Sequence, residues 1–325
     1  MRARTKLRRG GWALAGCLLA LACPGFASAQ REPNELGRIM ILEYHRIETP
    51  EARWGRTPDN FRRDLERLRT AGYRLIGLTD LLDGRIDLPA GTTPVVLTFD
   101  DSSPGQFRFI ERNGKVEVDP ECAVGILEAF SREHPEFGRK ATFYVLPGAK
   151  QPHKLFGQPE HEKAKLDYLV ARGFEIGNHT LWHANLAKYG EATVRQQIAV
   201  AQEWIGKLLP GYRPRSLALP MGAYPTEISW AIRGTVNGIS YRHDAILRVA
   251  GGAAPSPFAQ RFDPYRLPRI QAVESELASW LRHFAERPGE RFVSDGDPAV
   301  VTIPRARRAE LRDLAGRAVR ILDER

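Results

Sequence analysis

Two short stretches of this chain carry residue types that can do chemistry. Asp100 and Asp101 stand side by side at the end of the apolar run "PVVLTF" (94–99), and His179 and His183 stand four residues apart in "GNHTLWHANL". Neighbouring strand residues point to opposite faces, so one of two adjacent acids would normally aim into the core. An unpaired carboxylate there is costly unless something cationic sits beside it. Two histidines at i and i+4 face the same way on a helical turn and can chelate one metal ion. A carboxylate from another strand makes a third ligand. Three protein ligands with one open position is the arrangement of a catalytic zinc-type ion. Such an ion lowers the pKa of water towards ~7 and polarises a carbonyl oxygen. One acid of the pair can then ligate the cation while its neighbour stays free as a general base. For both to reach one pocket, the strand must break or bulge at Asp100.

Each piece also has a plain structural reading. An isolated i,i+4 histidine pair is more often surface or core decoration than a metal site. An Asp-Asp pair after a strand is most often a cap or a turn. His45, at the end of "ILEYH", can be a satisfied histidine packed beside Tyr44. The coincidence of all three at expected strand ends favours a metal site.

The elements that must position these residues alternate along the chain. "RIMILEYH" (38–45), "YRLIGL" (73–78) and "PVVLTF" are strand-like. So are "KATFYVLP" (140–147), "FEIGNH" (174–179), "SLALP" (216–220) and "YRLPRI" (265–270). Between them lie helical stretches near 120–132, 160–172, 191–208 and 273–286. The first helix is the clearest: Thr57 is placed to cap it, Pro58 opens it, Phe61, Leu65 and Leu68 share one face, and Gly72 ends it. "ARRAELRDLAGRAVRIL" puts Leu311, Leu314, Ala318 and Leu322 on one stripe and reads as a docked C-terminal helix. The stretch 102–120 reads as a long loop, punctuated by Pro104, Gly105, Gly114 and Pro120. Strand-then-helix repetition implies an α/β fold, with a parallel sheet or a (β/α) barrel. Barrels carry their functional groups at the C-terminal ends of the strands. With no internal repeat and no low-complexity linker, the chain reads as a single domain over 38–325, preceded by a short linker at 30–37.

The first 29 residues stand apart. "MRARTKLRRGG" carries five positive charges and no acid, an apolar run follows, and "ASAQ" supplies small residues for cleavage. That order is a secretory signal peptide, with Pro24 breaking a run too short for a membrane span. Its removal takes the formal charge from +9 to +4 (9 − 5), so the basic pI argues little for nucleic acid. Export to a periplasmic or extracellular address is expected, with lipid anchoring at Cys17 or Cys23 as the lesser alternative. Cys122 is then the sole cysteine of the mature chain, which excludes an internal disulfide.

"TFDD", followed after about eighty residues by "HTLWH" and accompanied by "ATFYV" and "ALPMG", resembles the polysaccharide deacetylases. These are metal-dependent carbohydrate esterases that act on chitin, peptidoglycan and poly-N-acetylglucosamine. The resemblance covers most of 38–290. It implies a distorted (β/α) barrel of about seven parallel strands and removal of N- or O-acetyl groups from a polysaccharide. It also implies that Asp100 is the general base and that Asp101, His179 and His183 bind one divalent ion. Zinc is the first choice for that ion, and cobalt, nickel and iron also suit the donors. The backbone near Pro220 and Met221 would hold the oxyanion. Two departures stand out. Ala218 occupies the place of the family's arginine that orients the catalytic aspartate, and Arg269 of "LPRI" is a candidate substitute. The late Leu-His motif is not clear. The order "YH", helix, "GY", "LTFDD" is similar to the rearranged exopolysaccharide branch, in which the acid histidine comes first, and this favours His45 over His243 or His283. Two alternatives are a carboxylate-pair glycoside hydrolase, which leaves the histidine pair unexplained, and a non-catalytic relative that binds sugar or metal.

Overall fold

The run that ends in the two aspartates is a strand, Thr93–Phe99, and every residue in it is buried. Burial on both faces is the mark of a strand inside a parallel sheet covered by helices. The computed structural model describes residues 31–323, and the residues from Arg31 onward form one unit. The segment 1–29, expected to be a signal peptide, lies outside the described residues.

Eight parallel strands build the sheet. They are β1 (Met40–Tyr44), β2 (Tyr73–Leu75), β3 (Thr93–Phe99), β4 (Thr142–Val145), β5 (Glu175–Asn178), β6 (Ser216–Ala218), β7 (Ala245–Leu247) and β8 (Ile270–Gln271). Seven of them follow the order β7-β6-β5-β4-β3-β1-β8, and β2 pairs with the first half of β3. A parallel bridge between Leu247 and Leu267 brings the two ends of this path together. The result is the distorted barrel that the resemblance implied. Strand β7 was not anticipated, because three residues are too few to show a period.

Register sorts the side chains. Leu42 and Tyr44 of β1, with Leu97 and Phe99 of β3, pack outward against Phe61, Leu65 and Leu68 of helix α1 (Pro58–Thr70). Ile39, Ile41 and Val96 take the opposite face. Strand alternation carries that inner face on to Glu43 and His45 in one strand and to Thr98 and Asp100 in the other. Helix α1 begins as expected, with the Thr57 hydroxyl accepting from the Asn60 N–H at 3.2 Å. Helices α2 (Ala123–Glu133), α3 (Glu162–Ala171), α4 (Glu191–Leu208) and α5 (Glu274–Glu286) follow close to their expected bounds.

Four expectations need correction. The C-terminal segment is no helix: Arg305–Glu310 is a 3₁₀ segment, and Ala318–Leu322 is a strand parallel to Val300–Pro304. The apolar stripe fitted a helical period, but Ala315 and Gly316 both adopt positive φ (50° and 89°). Beyond them, the β-branched Val319 and Ile321 favour extended backbone. Second, "YRLPRI" contributes little strand: Pro264–Arg266 is a 3₁₀ turn, Leu267 makes one isolated bridge, and the strand begins only at Ile270, since Pro268 has no N–H for a ladder. Third, 102–120 contains a hairpin, Phe109–Arg112 against Lys115–Val118. Asn113 and Gly114 turn it with φ of 54° and 70°, the Asn-Gly signal of a tight hairpin. Fourth, 30–37 is no free linker. Leu36 is fully buried, Asn34 bridges to Val293, and the Glu35 carboxylate accepts from the Thr302 N–H at 2.9 Å.

Candidate active site at the mouth of the barrel

Strand β3 ends at Phe99, and Asp100 and Asp101 follow at its C-terminal end. Asp100 continues the inward parity of Val96 and Thr98. Asp101 would point the other way in an extended chain, but it sits at φ 75°, with Ser102 at φ 43°. This left-handed break carries Asp101 into the same mouth. The strand stops where the two acids need it to, which accounts for an Asp-Asp pair at the end of a buried run.

The two histidines do not share a helical turn. Strand β5 ends at Asn178, and residues 179–185 form an irregular turn in which Thr180 and His183 have φ of 69° and 66°. The turn is held by its own polar side chains. Asn178 Oδ1 accepts from the Thr180 N–H at 2.8 Å, and Thr180 Oγ1 accepts from the Ala184 N–H at 3.1 Å. The i,i+4 spacing brings the rings together, with centroids 5.0 Å apart, by a route other than the helix expected for it.

Asp101 Oδ1 lies 3.3 Å from Nε2 of His179 and 3.3 Å from Nε2 of His183. The Nδ1 of His179 is 2.9 Å from the Ala218 carbonyl. A carbonyl can only accept, so Nδ1 carries the proton and the Nε2 lone pair is left facing Asp101. Both His179 Nε2 and Asp101 Oδ1 are buried without a hydrogen-bond partner among the described residues. Acceptors converging in this way need a proton or a cation between them. The three ligand atoms lie within 4.8 Å of one another, and a His₂Asp donor set fits one divalent ion. Burial pushes the Asp101 carboxyl up; with a proton on His179 Nε2 in place of a cation, the hydrogen bond and charge of His179 would hold it at about 2. Burial and the neighbouring His179 push the His183 imidazole down.

Asp100 is held differently. Arg269 Nη1 donates to Oδ1 at 2.7 Å and Nη2 to Oδ2 at 2.6 Å, and both side chains are buried. Burial alone would raise the Asp100 carboxyl; the Arg269 and His179 charges outweigh it and hold the group below its ordinary value. Arg269 stands just before β8, and its Nε donates to the Arg248 carbonyl at 2.7 Å. Ala218, where the family's arginine was sought, contributes its carbonyl to His179 instead.

His45 follows β1 and packs against Trp54 in a tilted pair with centroids 4.7 Å apart. Its Nε2 is 3.9 Å from Glu43 Oε1, and ligand atoms of His45, Glu43 and Asp100 fall within 4.8 Å of one another. Burial pushes the His45 imidazole down, against the pull of Asp100 and Asp101. The two other histidines considered for the acid lie elsewhere. His243 is fully buried with Nδ1 2.8 Å from the Ala231 carbonyl, and His283 pairs with Glu290 at 2.9 Å on the surface. Pro220 is buried. Met221 is exposed in the turn Pro220–Gly222 at φ 56°, 3.7 Å by its sulfur from Asn185 Nδ2 in the histidine turn.

Sequence reasoning passed over Glu43. Its signal was present: an acid at an inward position of a buried strand, two residues before His45.

The family model for polysaccharide deacetylase matches residues 88–235. A chitooligosaccharide deacetylase of Bradyrhizobium sp. (strain ANU 289) is 26% identical over 139 residues, which span 43% of this chain and 51% of that protein. A peptidoglycan-N-acetylglucosamine deacetylase of Bacillus cereus is 29% identical over 145 residues, 44% of this chain and 42% of that protein. The alignments thus span about half the length of these curated relatives. Among solved structures, the Streptococcus pyogenes deacetylase PplD in complex with acetate superposes with a TM-score of 0.57 at 20% identity, over 77% of this chain and 98% of that one. IcaB from Ammonifex degensii gives a TM-score of 0.52 at 17% identity, over 76% and 97%. These structures share the fold.

Proposed function

Because residues 88–235 match the family model for polysaccharide deacetylase, we propose that this chain belongs to that family and is a metal-dependent hydrolase. In this reading it removes acetyl groups from an N-acetylated or O-acetylated polysaccharide outside the cytoplasm. The carrying observation is a division of labour between adjacent acids: Asp101 faces two histidine nitrogens at 3.3 Å, while Asp100 is clamped by Arg269.

Asp101, His179 and His183 are the residues that would hold the ion. A divalent cation there supplies Lewis acidity towards the acetyl carbonyl and lowers the pKa of a nearby water. The chain's own groups do the rest. Asp100, kept ionised by Arg269, accepts the proton of the attacking water. The oxygen of that water bonds to the acetyl carbon, and the carbonyl oxygen takes up negative charge. The backbone N–H of Met221, in the turn Pro220–Gly222, is the proposed donor to that charge. His45 then donates a proton to the departing sugar nitrogen (or oxygen, for an ester) as its bond to the acetyl carbon breaks, leaving acetate. A cleft of about 660 Å³, lined by Arg46, which follows His45 in the chain, and by Ser103, Arg108 and His153, is the proposed room for neighbouring sugars.

The test is acetate release from N-acetylglucosamine oligomers by the exported form, after chelation and after zinc or cobalt is restored. Release that stops and returns with metal supports the reading. Release unaffected by a chelator that strips the protein of metal contradicts it.

A further inference from the structure

We propose that Glu43 is a positioning residue that locks the Arg269 clamp and aligns His45, holding base and acid in register. The inference rests on the catalytic reading given above, but Glu43 belongs neither to the three candidate ligands nor to the pair assigned as base and acid.

The geometry carries it. Arg269 Nη2 donates to Asp100 Oδ2 at 2.6 Å and to Glu43 Oε1 at 2.8 Å. Nη1 donates to Asp100 Oδ1 and to Thr98 Oγ1 at 3.0 Å, and Nε to the Arg248 carbonyl. Every nitrogen of the guanidinium is therefore engaged, and Glu43 takes the share of Nη2 that Asp100 does not. Without Glu43, the planar fork could rotate out of the bidentate geometry that aims Asp100. The same carboxyl oxygen faces His45 Nε2 at 3.9 Å, and the ring also packs against Trp54. Besides Asp100 itself, Glu43 is thus a side chain that lies against both Arg269 and His45.

A second observation argues against a role in stability alone. Glu43 Oε2 is buried and has no hydrogen-bond partner among the described residues. A half-satisfied carboxyl in the interior is a liability that an apolar residue would remove. Burial, with Asp100 beside it, pushes the Glu43 carboxyl well above the usual carboxylate range, against the pull of Arg269. Glu43, His45 and Asp100 also lie close enough to suggest a cation site, but Arg269 occupies both Asp100 oxygens, so this cluster surrounds a guanidinium.

The experiment compares Glu43→Ala, Glu43→Gln and wild type, all metal-replete and matched for melting temperature. It reads steady-state acetate release and the ¹⁵N–¹H guanidinium signals of Arg269. A misaligned catalytic group costs about 10²-fold in turnover, so Glu43→Ala should lose kcat on that order with KM little changed. Glu43→Gln keeps an oxygen for Nη2 and should recover most of the loss. The Arg269 Nη signals should be resolved in wild type and Glu43→Gln and averaged by rotation in Glu43→Ala. Glu43→Ala with wild-type kcat and wild-type Arg269 signals would overturn the proposal. So would a loss of kcat that Gln fails to restore while the Arg269 signals stay unchanged, because Glu43 would then act by chemistry and not by position. If wild type releases no acetate, the deacetylase reading fails, and the Arg269 signals alone still decide whether Glu43 locks the clamp.

Discussion

Arg269 and Asp100 are 169 residues apart in the chain, yet the guanidinium meets both oxygens of the carboxylate, at 2.7 and 2.6 Å, in the interior of the barrel. Strand β8 places the arginine and the end of β3 places the acid, and the strand between them, β1, supplies Glu43. The pair does two things at once. It makes a buried charge tolerable, and it turns one oxygen-bearing edge of Asp100 towards the three candidate ligands.

Removing that clamp should therefore change a pH profile as well as a rate. Arg269 holds the Asp100 carboxyl below its ordinary value, so a base that must be ionised works down to low pH. In Arg269→Ala the carboxyl rises, and the acidic limb of kcat/KM should move to higher pH. Arg269→Lys keeps charge but loses the planar fork and should fall about 10²-fold in kcat from misalignment. A profile identical to wild type in both variants would show that the clamp does not act on the base.

The ligand set can be tested without turnover. A divalent ion that binds only the folded chain raises its melting temperature by mass action. Zinc or cobalt added to chelated protein should raise it for wild type. Asp101→Ala and His183→Ala should show no such rise and no stoichiometric metal by elemental analysis. A rise of equal size in these variants would place the ion elsewhere.

Much of this site could be read in the chain beforehand, and the reasons it could are local. "VVLTFDD" announces a strand and its end, and Thr57-Pro58 announces a helix start, because the signals lie within a few residues of the structure they make. The spacing of His179 and His183 marked a candidate ligand pair but suggested the wrong backbone. Positive φ at Thr180 and His183 is a property of how the turn packs, not of its composition. Arg269 was only a candidate for the clamp, since nothing near it in sequence says which acid it will meet 169 residues away. Glu43 was passed over although its parity with Ile41 and His45 was available. The C-terminal stripe misled because four apolar residues fit a helical period and a β-pair equally well until Ala315 and Gly316 break the helix.

Close packing behind the site gives a separate prediction. A Cβ on Gly177 would stand 2.2 Å from Cε1 of Tyr144, and the Tyr144 ring lies 5.7 Å from the Arg269 guanidinium. Gly177→Ala should destabilise by about 1–3 kcal/mol, the range for an overfilled core. It should also lower kcat by pushing Tyr144 towards Arg269. Denaturant melts and rates on the same preparation check both effects. An unchanged midpoint would mean the strand can shift to make room.

At the opposite end of the barrel, burial, with Asp295 adding to it, pushes the Glu35 carboxyl up to about 8. Between pH 4.5 and 8 the folded state holds a proton that the unfolded chain has released. Stability from this group is therefore full below that window and is lost as pH rises through it. Glu35→Gln cannot titrate, so its melting temperature should gain on wild type steadily from pH 5 to pH 8.5. A constant difference across that range would show that Glu35 is ionised in the fold.

The most direct measurement is acetate release by Asp100→Asn beside wild type, with the metal content of both determined. Both proteins should carry a full complement of metal and only wild type should turn over, since Asn keeps the shape and one acceptor for Arg269 but cannot take a proton. Wild-type turnover in Asp100→Asn would contradict the central claim that Asp100 is the base. Loss of metal from that variant would contradict the division of labour between Asp100 and Asp101.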